Sequence, residues 1–208
     1  ISGVGAVEPS LDAIAFVRSL QKEGILSSWY STNMPHFGRG TNAYHLPIGF
    51  EEVDRMPGKS QDVLWKLREF GQTTEKMPGI YIPYHSDTNH RRSELKQQIE
   101  KLNIPCFVET TKLPFEEYMK KLGSYSHVAC FPGMGDDTHR VYETIWMGGI
   151  PIHWNTKMFV SWCEDNNLVL VDGDKLIHGA RDLQLDTRQS TDVTPFLVKT
   201  YYDKIRIK

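Results

Sequence analysis

Several things are scarce in this sequence, and each scarcity narrows the field. Three cysteines occur in 208 residues, at Cys106, Cys130 and Cys163. They lack the close pairing of zinc sites and dithiol redox motifs. Two lie in apolar runs, so all three read as reduced core residues, which favours a reducing compartment such as the cytoplasm. No apolar run approaches the roughly 20 residues of a membrane-spanning helix, and no secretory leader pattern is visible. Basic charge is not in excess: the formal net charge is -2. No broad positive field advertises nucleic acid, and any anion site must come from a local cluster. Eight histidines are present, yet they show no His-x-x-x-His pair and no consistent metal-ligand spacing. An initiator methionine is missing too. The chain starts at Ile1, residues 1–9 read as a linker, and adjacent domains of a longer polypeptide are expected partners.

What is present suits a soluble globular chain. Hydrophobic residues make up 39% and charged residues 24%, enough to bury a core without staples. Ser10 can cap a helix over 11–22, with Ile14, Val17 and Leu20 as its apolar stripe. Residues 25–60 are rich in turn formers, with short strands near 28–30 and 43–46. A helix over 61–70 follows. From Gly79 onward short apolar strands at 80–82, 106–108, 127–131, 150–152 and 168–171 alternate with helices at 89–102, 114–122 and 138–147. A last helix is expected over 193–202.

Such alternation predicts an α/β chain with a Rossmann-like parallel sheet and flanking helices, behind a small irregular N-terminal part. The division falls at 1–78 and 79–208. Parallel sheets bind ligands beyond the carboxyl ends of their strands. The loops to inspect are 83–89, 109–113, 132–137 and 153–158.

The loop after Phe131 carries the strongest pattern. Gly133 and Gly135 let backbone N–H groups approach a ligand closely. Their spacing fits neither a Walker loop nor a dinucleotide fingerprint. Asp136 or Asp137 can cap the following helix; two adjacent acids could otherwise imitate a manganese site. Helical spacing puts His139 and Glu143 on one face, with Arg140 beside Glu143. Two meanings fit these residues. Arg140 and Glu143 can form a surface ion pair of little energetic weight. Alternatively, the cation and free N–H groups hold a phosphate while the carboxylate accepts from vicinal ribose hydroxyls.

The loop after Tyr84 offers a second anion site. Thr88 or Asn89 can cap a helix whose first turn holds Arg91 and Arg92. Cations there oppose the helix dipole by about 0.3–1 kcal/mol each, a cost that a bound anion offsets. One arginine is expected to meet the anion and the other to face solvent. The tryptophans read mostly as core, although Trp154, just past a strand end, could stack on a base or sugar.

The run Pro132-Gly133-x-Gly135-x-Asp137-Thr138-His139-Arg140-x-x-Glu143, followed by Gly148-Gly149-Ile150-Pro151-Ile152, resembles the nucleotide-sugar signature of exostosin-like and related GT-B glycosyltransferases. The Thr88-Asn89-His90-Arg91-Arg92 and Pro47-Ile48-Gly49 segments are similar to stretches of the same family. The resemblance implies a nucleotide-diphosphate sugar as donor, most simply a UDP-sugar, a glycan or oligosaccharide as acceptor, and metal-independent, inverting transfer. It implies donor contacts from Thr88, Asn89, Arg91 or Arg92, Gly133, Gly135, Asp137, Thr138, His139, Arg140 and Glu143. A GDP-sugar donor and a non-catalytic binding module are its alternatives. The wording of the signature is also similar to rhamnosyltransferase domains of large algal viruses, which implies UDP-L-rhamnose and a host-cytoplasm location. An inverting transferase needs a base for the acceptor hydroxyl. Asp87, His85 and His36 are the candidates, and the residues leave the choice among them open.

Overall fold

The computed structural model of this chain describes residues 2–3, 9–33, 42–49, 61–85, 89–154 and 157–178. His36, Asp87, Thr88 and the helix expected over 193–202 lie outside the described residues.

The first strand, β1 (Ser2–Gly3), comes from a segment read as linker. Helix α1 (Leu11–Lys22) follows, with the Ser10 side chain accepting from the Ala13 N–H as its cap. Strands β2 (Trp29–Ser31) and β3 (Ala43–His45) complete a three-stranded parallel sheet in the order β1-β2-β3. Ile14 and Val17, spaced one helical turn apart, bury against Trp29. The N-terminal part is thus a small α/β layer, more regular than its many turn formers suggest.

The larger sheet is built from β4 (Met77–Ile82), β5 (Cys106–Val108), β6 (Tyr125–Cys130), β7 (Ile150–His153) and β8 (Val171–Asp172). Every pairing is parallel, and the order is β5-β4-β6-β7-β8. The expected parallel five-stranded sheet flanked by helices is present, compatible with a Rossmann-like α/β fold. Between the strands run α3 (Arg91–Glu100), α4 (Phe115–Ser124), α5 (His139–Trp146) and α6 (Lys157–Asp165). Helix α2 (Gln61–Thr73) precedes the sheet and α7 (Gly173–His178) follows it. Neither α6 nor α7 is obvious from the sequence. The α6 segment mixes aromatic and β-branched residues, and α7 is a six-residue turn whose Lys175 N–H is held by the Asp172 carboxylate.

Side-chain alternation along each strand sorts the core into two faces. Ile80, Ile82, Ala129, Phe131, Ile150 and Ile152 pack with Leu95 and Ile99 of α3 on one side. Tyr81, Val128 and Cys130 pack with Met119, Leu122, Val141 and Ile145 on the other, where Leu64 and Leu67 of α2 join them. Cys130 and Cys163 are buried free thiols and Cys106 is a half-buried one. Burial pushes the Cys130 thiol up to about 12, so it remains an unreactive thiol. Trp154 is buried against Phe131, with their ring centroids 5.3 Å apart. It is a core residue, not a stacking platform.

Lys76 ties three helices together. Its Nζ donates to the carbonyls of Gly71 in α2 (2.6 Å), Gly123 in α4 and Met147 at the end of α5 (2.7 Å). An ammonium has three protons, so its capacity is fully used on helix C-terminal carbonyls, where positive charge is favourable. Just beyond, Gly148 turns the chain at φ 70°, a conformation that favours glycine.

Two predictions follow from this packing. Lys76→Met leaves three carbonyls without their cation and is expected to cost about 3 kcal/mol, measured as a shift of the urea midpoint at constant slope. His153 is buried, and desolvation pushes its imidazole down from 6.5 to about 4 against the opposing pull of Asp172 and Asp174. Between these values the unfolded chain binds a proton that the fold refuses, so stability falls as pH drops from 6.5 toward 4. The loss reaches roughly 3 kcal/mol. His153→Gln should flatten this acid limb in denaturant titrations across that window; an unchanged slope would refute the assignment.

Candidate functional site

Strand order decides where a ligand can sit. Moving along the chain from β4, the sheet first extends to β5 on one side and then to β6 on the other. The loops leaving β4 and β6 therefore diverge to opposite faces and open a crevice between them, the usual ligand position in such sheets. A cavity of about 600 Å³ lies there, within the range of small-molecule sites. The loops after β4, β5 and β6 all contribute to its wall, through Tyr84 and His85, through Glu109 and Thr111 to Pro114, and through Phe131, Gly133 to Gly135 and Asp137. Three of the four loops singled out from the sequence thus converge. The fourth, after β7, contributes no described residue to the wall.

The two loops expected to bind an anion are bolted to each other. Asn89 Nδ2 donates to the Gly133 carbonyl at 2.8 Å, and Arg92 Nε donates to the Pro132 carbonyl at 2.7 Å. The N-cap of α3 is His90, without a side-chain capping bond, and not Asn89; the Asn89 Oδ1 instead accepts from the Arg91 N–H at 2.9 Å, two residues on. Of the two arginines, Arg92 lines the cavity and Arg91 does not. Gly133 is where these loops touch most closely: a Cβ there would stand 3.2 Å from Arg92 Nη2. Its N–H donates to the Gly135 carbonyl at 2.8 Å, so that N–H closes the loop on itself instead of facing outward.

Asp137 does something different from capping. The N-cap of α5 is Thr138, without a side-chain capping bond. Asp137 is buried, its N–H donating to Asn33 Oδ1 at 2.7 Å. Its Oδ2 accepts from the Ile48 N–H at 3.1 Å and from the Tyr142 hydroxyl at 2.7 Å, and lies 3.1 Å from His45 Nε2. Asn33, His45 and Ile48 stand at the carboxyl ends of β2 and β3. Asp137 is thus the clasp between the small sheet and the loop of the large one. His139 repeats the link, its Nδ1–H donating to the Gly49 carbonyl at 2.7 Å. That bond fixes the tautomer with the proton on Nδ1.

Arg140 and Glu143 do not form a surface ion pair. Glu143 is fully buried, while Arg140 lines the cavity. Tyr118 of α4 stands between them: its hydroxyl donates to Glu143 Oε2 at 2.6 Å and accepts from Arg140 Nε at 3.2 Å. Arg140 Nη2 also donates to the Tyr84 carbonyl at 3.0 Å, and its guanidinium lies over the Tyr118 ring. Burial, reinforced by the Glu143 carboxylate, pushes the Tyr118 phenol well up, so it keeps its proton. Among the catalytic candidates, His85 lines the cavity, edge-on to Phe131 at 5.4 Å.

The wall also holds residues that pattern reading passed over, among them Lys112, Glu109, Phe115 and Tyr118. Lys112 and Glu109 fall in a loop picked out only by its place after β5. Tyr118 sits at i+3 from Phe115 and i−4 from Leu122, where periodicity marks it as core. The cavity's cations are Arg92, Lys112 and Arg140, and Thr138 Oγ1 on its wall has no hydrogen-bond partner among the described residues. Aromatic and aliphatic groups supply the rest. Such a site can hold an anionic head and an apolar or aromatic body. Among the described residues no group of three or more His, Cys, Asp and Glu side chains could hold a metal, and no helix is long and apolar enough to cross a membrane.

Asp137→Ala strands the Ile48 N–H, the Tyr142 hydroxyl and His45 together. It should cost about 3 kcal/mol in denaturant unfolding, whereas Asp136→Ala, one residue away, should cost under about 1 kcal/mol. Equal losses would remove Asp137 as the clasp. No protein-family model matches the chain, and no curated protein matches it.

Proposed function

We propose that the chain is the donor-binding part of a glycosyltransferase that takes a sugar from a nucleotide diphosphate, a UDP-sugar in the simplest case. One observation carries the reading: a cavity at the switch point of a parallel sheet, with Arg92 and Arg140 on its wall between the two loops whose sequences resemble a nucleotide-sugar signature. A diphosphate is the anion that two fixed guanidinium groups and a nearby lysine suit. The aromatic and aliphatic wall suits a base and ribose.

Under this reading Arg92 and Arg140 also stabilise the charge that grows on the departing diphosphate, and they do so as pre-placed donors. The acceptor is a glycan hydroxyl, and transfer is inverting, with metal-independent departure of the nucleotide. His85 is the base candidate on the cavity wall; Asp87 and His36 complete the candidate set from the sequence. L-Rhamnose as the transferred sugar rests on the resemblance alone.

Titration of the 208-residue chain with UDP, GDP and CDP tests the reading. UDP should raise the unfolding midpoint in a concentration-dependent manner, by about 2.7 kcal/mol of stabilisation at a hundredfold excess over Kd. Arg140→Ala should weaken UDP binding about ten- to hundredfold, as expected for loss of hydrogen bonds to a charged group. UDP release from UDP-rhamnose, UDP-glucose and UDP-galactose with a glycan acceptor then reports turnover. Absence of binding by any of the three nucleotides would sink the proposal, and binding without turnover would reduce the chain to a nucleotide-sugar-binding module.

A further inference from the structure

A carboxylate on the wall of an anion site needs a reason to be there. Asp137 has one, because its Oδ2 is held by Ile48 and Tyr142. Glu109 lines the same cavity without such a network. Its N–H donates to the Ile82 carbonyl at 2.9 Å, so its backbone carries the β4-β5 ladder one residue further. Strand alternation then puts its side chain on the face of Phe107 and of Tyr81, the register partner of Phe107. Both of those rings pack on Tyr125 of β6, on the face that α4 and α5 cover. Glu109 is half-buried, and its Oε1 accepts a long bond of 3.4 Å from the Thr111 hydroxyl. The Tyr81 hydroxyl lies beside the carboxylate without a well-aligned hydrogen bond. Burial first, and the Glu109 carboxylate second, push the Tyr81 phenol well up, while Arg140 acts in the opposite direction. One buried hydroxyl thus feels both charges, which makes Glu109 and Arg140 neighbours on the wall. Thr111 and Tyr81 line the cavity as well, and no ion pair with a described residue neutralises Glu109.

We infer that the Glu109 carboxylate receives a sugar hydroxyl of the ligand, next to the phosphate that Arg140 holds. The inference rests on the nucleotide-diphosphate reading and deepens it. A carboxylate beside a bound anion repels it and weakens binding. That cost is offset where the same carboxylate accepts from a hydroxyl, because a charge-assisted hydrogen bond is stronger than a neutral one. Glu109 therefore penalises a bare phosphate or pyrophosphate and favours an anion that carries hydroxyls close to its charge. A nucleotide-diphosphate sugar has such hydroxyls at both ends of the diphosphate, on the ribose and on the sugar to be transferred. Selection of that ligand over inorganic anions is the role this gives Glu109.

Calorimetric titration with pyrophosphate, UDP and a UDP-sugar decides the point. The UDP-sugar is whichever of UDP-rhamnose, UDP-glucose and UDP-galactose the unaltered chain binds most tightly. Glu109→Gln removes the charge and keeps the shape. It should leave pyrophosphate binding unchanged or tighter, and weaken a hydroxyl-bearing ligand about tenfold, the value of one hydrogen bond to a charged group. Loss on UDP and UDP-sugar alike puts the hydroxyl on ribose; loss on the UDP-sugar alone puts it on the transferred sugar. Glu109→Asp keeps the charge and withdraws it by one methylene group. It should weaken the same ligand with pyrophosphate unchanged. If Glu109→Gln binds all three ligands as tightly as the unaltered chain, or more tightly, Glu109 merely repels anions and the inference is wrong. An equal loss on all three, pyrophosphate included, marks a structural residue and overturns it as well. Should Glu109→Gln fail to fold, Glu109→Asp decides by the same comparison. Failure of the unaltered chain to bind UDP at all would instead strike the nucleotide reading, and this inference with it.

Discussion

Burial of the Asp137 carboxylate is the constraint on which this architecture depends. A carboxylate taken out of water is costly unless its oxygens are hydrogen-bonded. Here the donors come from both parts of the chain: the Ile48 N–H from the segment after β3, and the Tyr142 hydroxyl from α5, with His45 Nε2 alongside. Neither part can satisfy Asp137 alone. The backbone of the same residue donates to Asn33 after β2, so the link is made twice at one position. The loop that shapes the cavity is thereby held from the small sheet on one side and, through Asn89 and Arg92, from α3 on the other. A loop pinned from both sides presents Arg92 and Arg140 in fixed directions, which is what a pre-organised anion site needs.

Legibility of the fold followed the strength of its periodic signals. Helix α1 over Leu11–Lys22 and strand β5 over Cys106–Val108 match their sequence expectations residue for residue, because Ser10 and the flanking turn formers punctuate them. Strand β4 begins earlier than expected, at Met77. Pro78 and Gly79 argue against a strand by propensity, and the register shift between Met77 and Ile80 shows how the sheet accommodates them. Ser2–Gly3 is a strand only because Tyr30 and Ser31 pair with it. Nothing local specifies that, so no local pattern could reveal it.

The site was legible to a lesser degree, for a physical reason. Sequence spacing identified the loops, since glycines and polar residues after apolar strands are local features. It did not reveal the direction in which each side chain is satisfied. Asp137 at a helix start reads as a cap, yet its Oδ2 accepts from the Ile48 N–H, 89 positions earlier in the chain, and from the Tyr142 hydroxyl. Glu143 reads as one half of a pair with Arg140, yet Tyr118 of another helix takes the place between them. Both differences come from long-range partners competing with local ones and prevailing because the groups are buried.

The same partners resolve an electrostatic conflict. The chain as a whole is slightly acidic, at a formal net charge of -2, and two buried carboxylates, Asp137 and Glu143, stand on or behind the wall of the cavity, which also carries Glu109. An exposed carboxylate there would cancel a guanidinium. Each is instead turned into a fixed network, Asp137 toward Ile48 and Tyr142, Glu143 toward Tyr118. Glu143 is thereby kept off the cavity wall, and the Oδ2 of Asp137, which does line it, is engaged by Ile48 and Tyr142. Arg92, Lys112 and Arg140 thus share the wall with the carboxylates of Glu109 and Asp137. For the proposed diphosphate, the balance depends on how the Asp137 charge is held by Ile48 and Tyr142, as much as on how many bases are present.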